Sequence, residues 1–340
     1  MKIAIIGAGV AGLACAGRLE SAGYRATLFD KSRSAGGRLA TRRLQTPLGP
    51  TQFDHGAQYF KATTPQFAAQ CEQWRAEGLV SPWPAAGPDA WVGVPEMKAP
   101  ATAMAATCNV FWSSRVDAVR RVEGCWRLSG DGLVTGAFDQ VVIALPAEQA
   151  AALLAPCHAL FAARATAVVS TPCWTVMLAF ADRIPIAADT VRNEGLIGWA
   201  ARDSAKPGRG GIESWVIQAS AIWSTAHLDD PADAVVAALS DALGRTAKAA
   251  LPPIIAGVAH RWRYAQSGSL GEDCLWDAAG GIGICGDWLI GPRVEAAWRS
   301  GTALADQIIG SAARDEVVNP PVSMERPRVS NEASNPGVDI

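Results

Sequence analysis

Apolar and polar positions follow a strand, helix, strand pattern over the first thirty residues of the chain. Lys2 to Ile6 is a short apolar run, and apolar residues then recur at helical spacing from Val10 to Leu19. Arg25 to Phe29 is a second short run, which ends at Asp30. The change of period from strand to helix and back predicts one βαβ unit with two parallel strands.

Four later segments extend this picture. Val141 to Leu145 and Ile282 to Cys285 are continuous apolar runs, which are typical of strands buried on both faces of a parallel sheet. Thr175 to Phe180 and Glu213 to Ser220 alternate instead, so they predict an inserted second sheet.

Helical spacing returns near the end of the chain. It predicts an amphipathic helix over Pro231 to Leu243 and a last helix over Val294 to Ile309. Ser311 to Ile340 is polar, contains prolines and has no aromatic residue, so we expect this tail to be disordered.

Composition and charge narrow the class of partner. With 340 residues, 49% hydrophobic and 18% charged, the chain can bury the cores of two domains. A net charge of −2 produces no field that would gather nucleic acid or an anionic membrane, so we expect a small-molecule partner. Eight cysteines without a CxxC pair and four histidines favour neither a disulfide framework nor a metal site. No apolar run reaches the roughly 18–20 residues that span a bilayer, and we expect a cytoplasmic protein.

Three glycines, Gly7, Gly9 and Gly12, form the pattern GxGxxG between the first strand and the first helix. The first permits a tight turn, the second lets a pyrophosphate approach the backbone, and the third lets helix and strand pack closely. Asp30 follows Gly7 by 23 positions, near the roughly 20-residue spacing at which an acid reaches a ribose hydroxyl. The pattern predicts a dinucleotide site and leaves NAD and FAD both open.

A second glycine turn follows Asp30 directly. It runs from Lys31 through Gly36 and Gly37 to Arg38, whose guanidinium can approach the same pyrophosphate from its other side. Such a turn extends the predicted site beyond the first helix.

A third glycine turn, at Gly286 and Asp287, ends a strand far along the chain, and the helix from Val294 follows it. A strand-end aspartate can bind the ribityl chain of a flavin, and the amino end of the helix can face the ring edge where reduction places negative charge. Because a nicotinamide cofactor does not require so long a cradle, we expect FAD.

These stretches carry a family resemblance. GAGVAGL, FDKSRSAGGR, DHGAQYF, VVIALP and CGDW, the last followed by RVEAAW, resemble the flavin amine oxidase superfamily and, within it, the renalase-like flavoproteins. WVGVPEM, GWAARDSAKPGR and HRWRYA extend the resemblance, which covers residues 1 to about 310. It implies an α/β fold in which a Rossmann-like FAD domain, with its parallel sheet, carries an inserted α+β substrate domain of the amine oxidase type.

The implied domain boundaries divide the chain into six pieces. Residues 1–60, 105–160 and 260–310 would form the FAD-binding domain, residues 61–104 and 161–259 the substrate domain, and residues 311–340 the tail.

The cofactor-binding candidates combine the glycine turns with residues that the resemblance implies. They are Gly7, Gly9, Ala11, Gly12, Asp30, Lys31, Gly36, Gly37, Arg38, Gln58, Tyr59, Val116, Gly286, Asp287 and Val294. Cys285 precedes the third glycine turn and is expected to be buried in its strand, so the FAD would be held noncovalently.

The resemblance also implies a reaction: oxidation of isomeric (2- or 6-) dihydro-NAD(P) to NAD(P)+, with electrons passed to O2 to give H2O2. A dihydropyridine becomes aromatic on losing a hydride, so it needs a flat slot over the flavin more than a strong base. The catalytic candidates are Gln58, Tyr59, Trp288 and His260. A purely structural role stays open for Trp288, as a packed core indole, and for His260.

Other interpretations also stay open. Arg202, Lys206 and Arg209 form a basic loop that could meet the substrate's phosphates, although a solvated surface run is favoured. A flavin amine oxidase or desaturase, acting on an amine or a polyene, is one alternative. The lysine that amine-oxidising relatives place near the flavin has no recognisable counterpart here. The other alternative is a flavin-binding, redox-sensing module without turnover.

Overall fold

The computed structural model describes residues 1–131 and 133–318 of the chain. The strands, in chain order, are β1 (Lys2–Ile6), β2 (Arg25–Phe29), β3 (Thr41–Thr46), β4 (Gly49–Asp54), β5 (Phe60–Lys61), β6 (Val80–Pro82), β7 (Ala90–Gly93), β8 (Asn109–Phe111), β9 (Ala118–Val122), β10 (Cys125–Gly130), β11 (Leu133–Val134), β12 (Gln140–Ile143), β13 (Thr171–Phe180), β14 (Thr190–Glu194), β15 (Ile197–Arg202), β16 (Ser214–Ala219), β17 (Ile254–Gln266), β18 (Leu275–Asp277) and β19 (Ile282–Ile284). The helices are α1 (Val10–Ser21), α2 (Pro65–Ala76), α3 (Ala99–Ala106), α4 (Ala147–Leu154), α5 (Ala159–Thr166), α6 (Ala221–Ala226), α7 (Ala232–Ala247), α8 (Asp287–Ile290) and α9 (Val294–Val318).

The main sheet has the strand order β18-β19-β12-β1-β2-β8. β1 pairs in parallel with β2 on one side and with β12 on the other, and Ile5 lies opposite Leu28 and Val142, all fully buried. The predicted βαβ unit and the two predicted parallel strands are therefore confirmed, with β19 parallel to β12. Because the chain leaves β1 toward β2 and returns to its other side as β12, a crevice opens at the carboxyl end of β1, where such sheets bind ligands.

The second sheet is antiparallel, in the order β14-β15-β16-β13-β17. It contains both alternating runs, as β13 and β16, so the predicted second sheet is also confirmed. Val176 and Leu178 on one face pack with Leu239 of α7. Met177, on the opposite face, packs with Phe53 of β4. The two sheets together confirm the predicted α/β fold class.

Two predicted boundaries differ from the structure. The division at residue 260 falls inside β17, which runs unbroken across it because its pairing with β13 continues from Ile254 to Gln266. The last helix extends to Val318 rather than ending near Ile309, so the predicted tail does not begin at Ser311. Ser311 is buried, and its hydroxyl accepts a hydrogen bond from the Trp276 indole at 3.3 Å. The rest of the predicted tail, from residue 319, lies outside the described residues.

Among the described residues, no helix combines the length and the apolar character that crossing a bilayer would require.

Candidate active site

A cleft of about 1010 Å³ opens at the carboxyl ends of the parallel strands. Its first side, the glycine wall, consists of the loops after β1, β2, β12 and β19 and contains Gly7, Gly9, Asp30, Gly36, Gly37, Arg38, Gly286 and Asp287. Its opposite side, the strand wall, consists of Cys173 on β13, Gln218 on β16, and His260, Trp262 and Tyr264 on β17. Sites for drug-sized ligands span about 300–1,000 Å³, so this cleft has room for a dinucleotide.

The first glycine turn leaves no space for side chains at two of its positions. A Cβ on Gly7, whose φ is +108°, would lie 2.5 Å from the Ala144 carbonyl oxygen, and a Cβ on Gly12 would lie 2.0 Å from the Gly7 carbonyl oxygen. At Gly9, by contrast, a Cβ would meet no atom of the described residues within 4 Å, because this glycine faces the cleft. No side chain of the described part of the chain caps α1 at Gly9, so its first amide groups are available to a phosphate.

Asp30 flanks this turn and is held by two backbone amides. Its Oδ2 accepts a hydrogen bond from the Ala8 amide and its Oδ1 one from the Ser32 amide, both at 2.7 Å. Each carboxylate oxygen has a second lone pair, so the acid can still accept a ribose hydroxyl. Lys31 and Val116 line the same end of the cleft.

The second glycine turn contacts both the first and the third. Gly37, at φ +53°, would place a Cβ 3.7 Å from the Gly9 Cα, so the two turns are in contact. The next residue, Arg38, donates a hydrogen bond from Nη2 to Asp287 Oδ1 at 2.5 Å. Stretches 249 positions apart therefore converge, as an extended cofactor requires.

The start of α9 completes the glycine wall. A Cβ on Gly301 would lie 2.1 Å from the Ala11 carbonyl oxygen, so α9 packs directly on α1. Ser300 accepts a hydrogen bond from the Gly286 amide at 3.0 Å, which fixes the third turn to the same helix. Val294 lines the cleft, as do Ala11 and Gly286. The uncapped amino end of α1, the open Gly9 and the paired Arg38 and Asp287 together fit FAD.

The strand wall is aromatic and neutral. The rings of His260 and Trp262 lie 4.5 Å apart between centroids, and both pack on the ring of His55, which lies behind the wall. Burial, with the neighbouring His260 and Arg42, lowers the pKa of His55 to about 4. Burial, with Arg42, also lowers the pKa of His260. Both imidazoles are therefore uncharged at neutral pH.

Three of the four predicted catalytic residues do not line the cleft. Trp288 is fully buried in the core, and its indole donates to the Leu145 carbonyl oxygen at 3.0 Å. Tyr59 packs on Trp199 at 5.1 Å between ring centroids. Gln58 is buried behind the turn at Gly56, whose carbonyl accepts from its amide at 3.1 Å. Only His260 lies on the wall where a substrate could contact it. Trp288, Tyr59 and Gln58 could therefore affect the reaction only through other residues.

Among the predicted cofactor residues, Gln58, Tyr59 and Gly12 also lie outside the cleft lining. Gly12 contributes by close packing of α1 on the turn, as its contact with the Gly7 carbonyl shows. The remaining candidates line the cleft: Gly7, Gly9, Ala11, Asp30, Lys31, Gly36, Gly37, Arg38, Val116, Gly286, Asp287 and Val294. Their individual roles stay predictions.

The favoured interpretation of the basic loop as solvated surface is wrong. Arg202 and Lys206 are each 1% exposed. Arg202 pairs with Asp189 and Glu213. Lys206 and Arg209 pair with the buried Asp54. None of the three lines the cleft, so they do not meet substrate phosphates there either.

Sequence reasoning missed part of the strand wall. Trp262 and Tyr264 stand two and four residues after His260, so in a strand all three face the same side. That alternation is readable in HRWRYA and could have identified them. Gln218 and Cys173 come from other strands, and no sequence signal marks which of their neighbours they would join.

Comparison with known proteins places this arrangement in context. A family model described as an NAD(P)-binding Rossmann-like domain matches residues 5–74, and one described as flavin containing amine oxidoreductase matches residues 85–309. A 4,4'-diapophytoene desaturase (4,4'-diaponeurosporene-forming) of Staphylococcus aureus strain Newman is 56% identical over 39 residues, or 12% of this chain. That match spans only 8% of the desaturase's length.

Solved structures resemble the whole fold at low identity. A provisionally named protoporphyrinogen oxidase from Exiguobacterium sp. 255-15 has a TM-score of 0.73 at 12% identity, covering 91% of this chain and 98% of its own. Cyclohexylamine oxidase from Brevibacterium oxydans IH-35A has a TM-score of 0.66 at 13% identity, covering 92% and 99%. At such identities the likeness establishes the fold alone.

Proposed function

The chain belongs to the family of flavin-containing amine oxidoreductases, and on that premise we propose a specific reaction for it. The chain is an FAD-dependent oxidase of the renalase type, which converts isomeric (2- or 6-) dihydro-NAD(P) to NAD(P)+. The substrate loses a hydride, that is, a proton and two electrons, and its ring becomes aromatic. Molecular oxygen takes the two electrons together with two protons, one of them from solvent, and leaves as H2O2.

The neutral strand wall is the observation that carries this proposal. His260 and Trp262 offer flat surfaces across the cleft from the glycine turns, and the lowered pKa of His260 keeps a positive charge off that surface at neutral pH. A dihydropyridine needs no base to give up its hydride, so a wall that orients a flat ring and excludes water is sufficient.

FAD, when bound, supplies the hydride acceptor. The chain's own contribution on the glycine wall is to hold the cofactor: α1 offers amide groups at Gly9, and the ion pair of Arg38 with Asp287 lines the same wall. The contribution of the strand wall is to position the substrate ring, through His260, Trp262 and Tyr264.

The charge of the cleft favours an anionic substrate over an amine. Apart from Arg261 and Arg263 of β17, its lining includes four cations, Lys31, Arg38, Arg115 and Arg293, and three carboxylates, whereas the whole chain carries a net charge of −2. Arg261 and Arg263 pair with Asp229 on the other face of β17, whereas no carboxylate of the described residues pairs with Arg293, which lines the cleft. A dinucleotide's phosphates would be attracted here, and a protonated amine would be repelled.

The positions of the lysines also favour a substrate other than an amine. All six lie within the described residues, and only Lys31, beside Asp30 at the adenosine end, lines the cleft. A lysine near the reacting ring, which the resemblance associates with amine oxidation, has no counterpart on the strand wall.

Peroxide formation in air tests the proposal. We expect the 2- and 6-dihydro isomers of NAD(P) to produce H2O2 and a panel of amines and a polyene to produce none. Dihydronicotinamide riboside, which lacks phosphates, should react with a KM about tenfold higher, since one lost charged contact corresponds to about 1.4 kcal/mol or more.

The cations can be tested by substitution in the same assay. Arg293→Gln should raise KM for the dinucleotide and leave KM for the riboside unchanged. Arg127→Gln, an exposed residue of β10 outside the cleft lining, is the matched control. Peroxide from an amine alone would support the amine oxidase alternative. No turnover with any compound would support a redox-sensing module.

The desaturase alternative rests on the short match to the Staphylococcus aureus protein. A polyene carries no charge, so the cationic lining gives it no advantage. A cytoplasmic location is part of the proposal too, and all eight cysteines being unpaired supports it.

A further inference from the structure

A buried cluster of charged side chains lies directly behind the cleft. Asp54, Asp203 and Lys206 are each 1% exposed, and the side chain of Arg209 is 3% exposed. Charged groups are rarely buried to this extent unless they are paired, because removing them from water is costly. The burial of two carboxylates and two cations at one place therefore needs a structural or functional explanation.

The cluster is fully connected by ion pairs. Lys206 Nζ lies 2.7 Å from Asp203 Oδ1 and 3.3 Å from Asp54 Oδ2, and Arg209 also pairs with Asp54. Burial disfavours the charged form of Asp54, but Lys206 and Arg209, together with hydrogen bonds from the Met97 amide and the Thr41 hydroxyl, hold the pKa of this carboxyl below its ordinary value. Burial raises the pKa of Asp203, despite the nearby Lys206.

One contact links this cluster to the cleft. Lys206 Nζ donates a hydrogen bond to Gln58 Oε1 at 3.2 Å. An ammonium group can only donate, so it fixes which end of the Gln58 amide faces it. The other end, Nε2, then donates to the Asp54 and Gly56 carbonyl oxygens, the latter at 3.1 Å.

The Gly56 turn is where this orientation matters. Gly56 and Ala57 line the cleft, and the Ala57 amide donates to the Arg38 carbonyl oxygen at 2.8 Å. The Gly56 carbonyl also accepts from Gln218 of the strand wall at 2.8 Å. The turn therefore joins the glycine wall, through Arg38, to the strand wall, through Gln218.

We propose that Lys206 is a positioning residue: its buried ammonium orients the Gln58 amide, which in turn holds the Gly56 turn in place against the FAD cleft. The proposal rests on FAD as the cofactor and is independent of which substrate is oxidised. Lys206 makes no contact with the cleft itself and acts only through Gln58.

The variants follow from this chain of contacts. Lys206→Met keeps the length of the side chain and removes its charge. Asp203→Asn with Lys206→Met keeps the cluster neutral, in case the unbalanced charge prevents folding. Gln58→Met removes the linking amide. Arg202→Met is the matched control, because Arg202 is an equally buried cation with two carboxylate partners and no contact with the Gly56 turn.

Hydrogen exchange of the apo protein and the visible spectrum of the bound flavin are the readouts. We expect both Lys206 variants to exchange the His55 and Ala57 amides at least about tenfold faster and to shift the flavin absorption and circular dichroism bands. Turnover should fall by about tenfold to a hundredfold, as for small misplacements at a reacting centre. Arg202→Met should lose stability and leave all three unchanged.

A double-mutant cycle tests the route through Gln58. The variant that combines Lys206→Met with Gln58→Met should lose no more turnover, and exchange its His55 and Ala57 amides no faster, than the more affected of the two single variants. If the turnover losses of the two single variants multiplied in the double variant, the proposal would be overturned. It would also be overturned if the Lys206 variants had the same amide exchange and the same flavin bands as Arg202→Met. If neither Lys206 variant folded, the cluster would be a support of the fold alone and the proposal would fail. Hydrogen exchange and the flavin bands need no substrate, so failure in these two readouts is distinct from failure of the proposed reaction.

Discussion

The two walls of the cleft are built by different means. The glycine wall is made of backbone: at Gly7 and Gly12 the neighbouring carbonyl oxygens leave no room even for a Cβ. The strand wall is made of side chains, such as His260 and Trp262, that project from a continuous sheet. Backbone of this kind suits what all dinucleotides share, and at Gly7 and Gly12 it cannot take a side chain without disturbing the turn. A side-chain wall can change one residue at a time, so under the proposed function it is the wall that selects the substrate.

We expect the largest effect, a loss of FAD binding, from a substitution that disrupts the glycine wall. Gly12→Ala should abolish FAD binding, because its Cβ would lie 2.0 Å from the Gly7 carbonyl oxygen and force α1 away from the turn. Gly9→Ala is the matched control, since its Cβ would point into the open cleft. It should fold and bind FAD more weakly. The flavin absorbance retained after gel filtration reports both, and equal retention by the two variants would contradict the account.

A smaller effect is expected when the strand wall loses one ring. Trp262→Leu should lower kcat/KM for the dihydronicotinamide by about tenfold, the effect of about 1.4 kcal/mol, and leave the FAD dissociation constant unchanged. The reason is that Trp262 packs on His260 and His55 and makes no part of the glycine wall. Trp223→Leu, outside the cleft lining, should alter neither constant. Loss of FAD from Trp262→Leu would show that the walls are not separable.

The smallest effect concerns pH. His55 has a folded pKa of about 4, below its unfolded value of about 6.5, so the unfolded chain binds more protons between these values. Its contribution therefore makes the fold less stable as pH falls through this range. From pH 7 to pH 6 the loss should be under about 1 kcal/mol.

Denaturant unfolding at pH 7 and pH 6 measures this effect. His55→Phe should remove this part of the pH dependence and retain the ring stack with Trp262. The Nδ1 of His55 makes no hydrogen bond with the described residues, so phenylalanine gives up none there. His227→Phe is the control, since the His227 side chain is 41% exposed. An unchanged pH dependence in His55→Phe would show that His55 is not the titrating group.

The difference between the walls also explains which parts of the structure could be predicted. Gly7, Gly9, Asp30 and Asp287 were predictable because backbone constraints repeat in sequence as glycines at fixed offsets. The strand wall was predicted only at His260, since a side chain's neighbours depend on sheet register, which pairs Cys173 with Trp262 across β13 and β17.

The buried residues likewise could not be predicted from the sequence, because their surroundings depend on tertiary contacts. Lys206 and Arg202 have the composition of a solvated loop, and only tertiary contacts with Asp54 and Glu213 reveal that they are buried. Trp288 was expected near the flavin because it follows Asp287 directly, and Gln58 and Tyr59 were expected there because the family resemblance implies it. In the structure the Trp288 and Gln58 side chains are buried, the half-buried Tyr59 packs against the core, and none of the three lines the cleft.

Anaerobic titration of the bound flavin tests the central claim most directly. The purified protein, mixed without oxygen with 2- or 6-dihydro-NAD(P), should lose its flavin absorbance near 450 nm at about one equivalent, since one hydride reduces one flavin. Admission of air should restore it. Full retention of that absorbance with every dihydronicotinamide, in protein shown to contain FAD, would contradict the account.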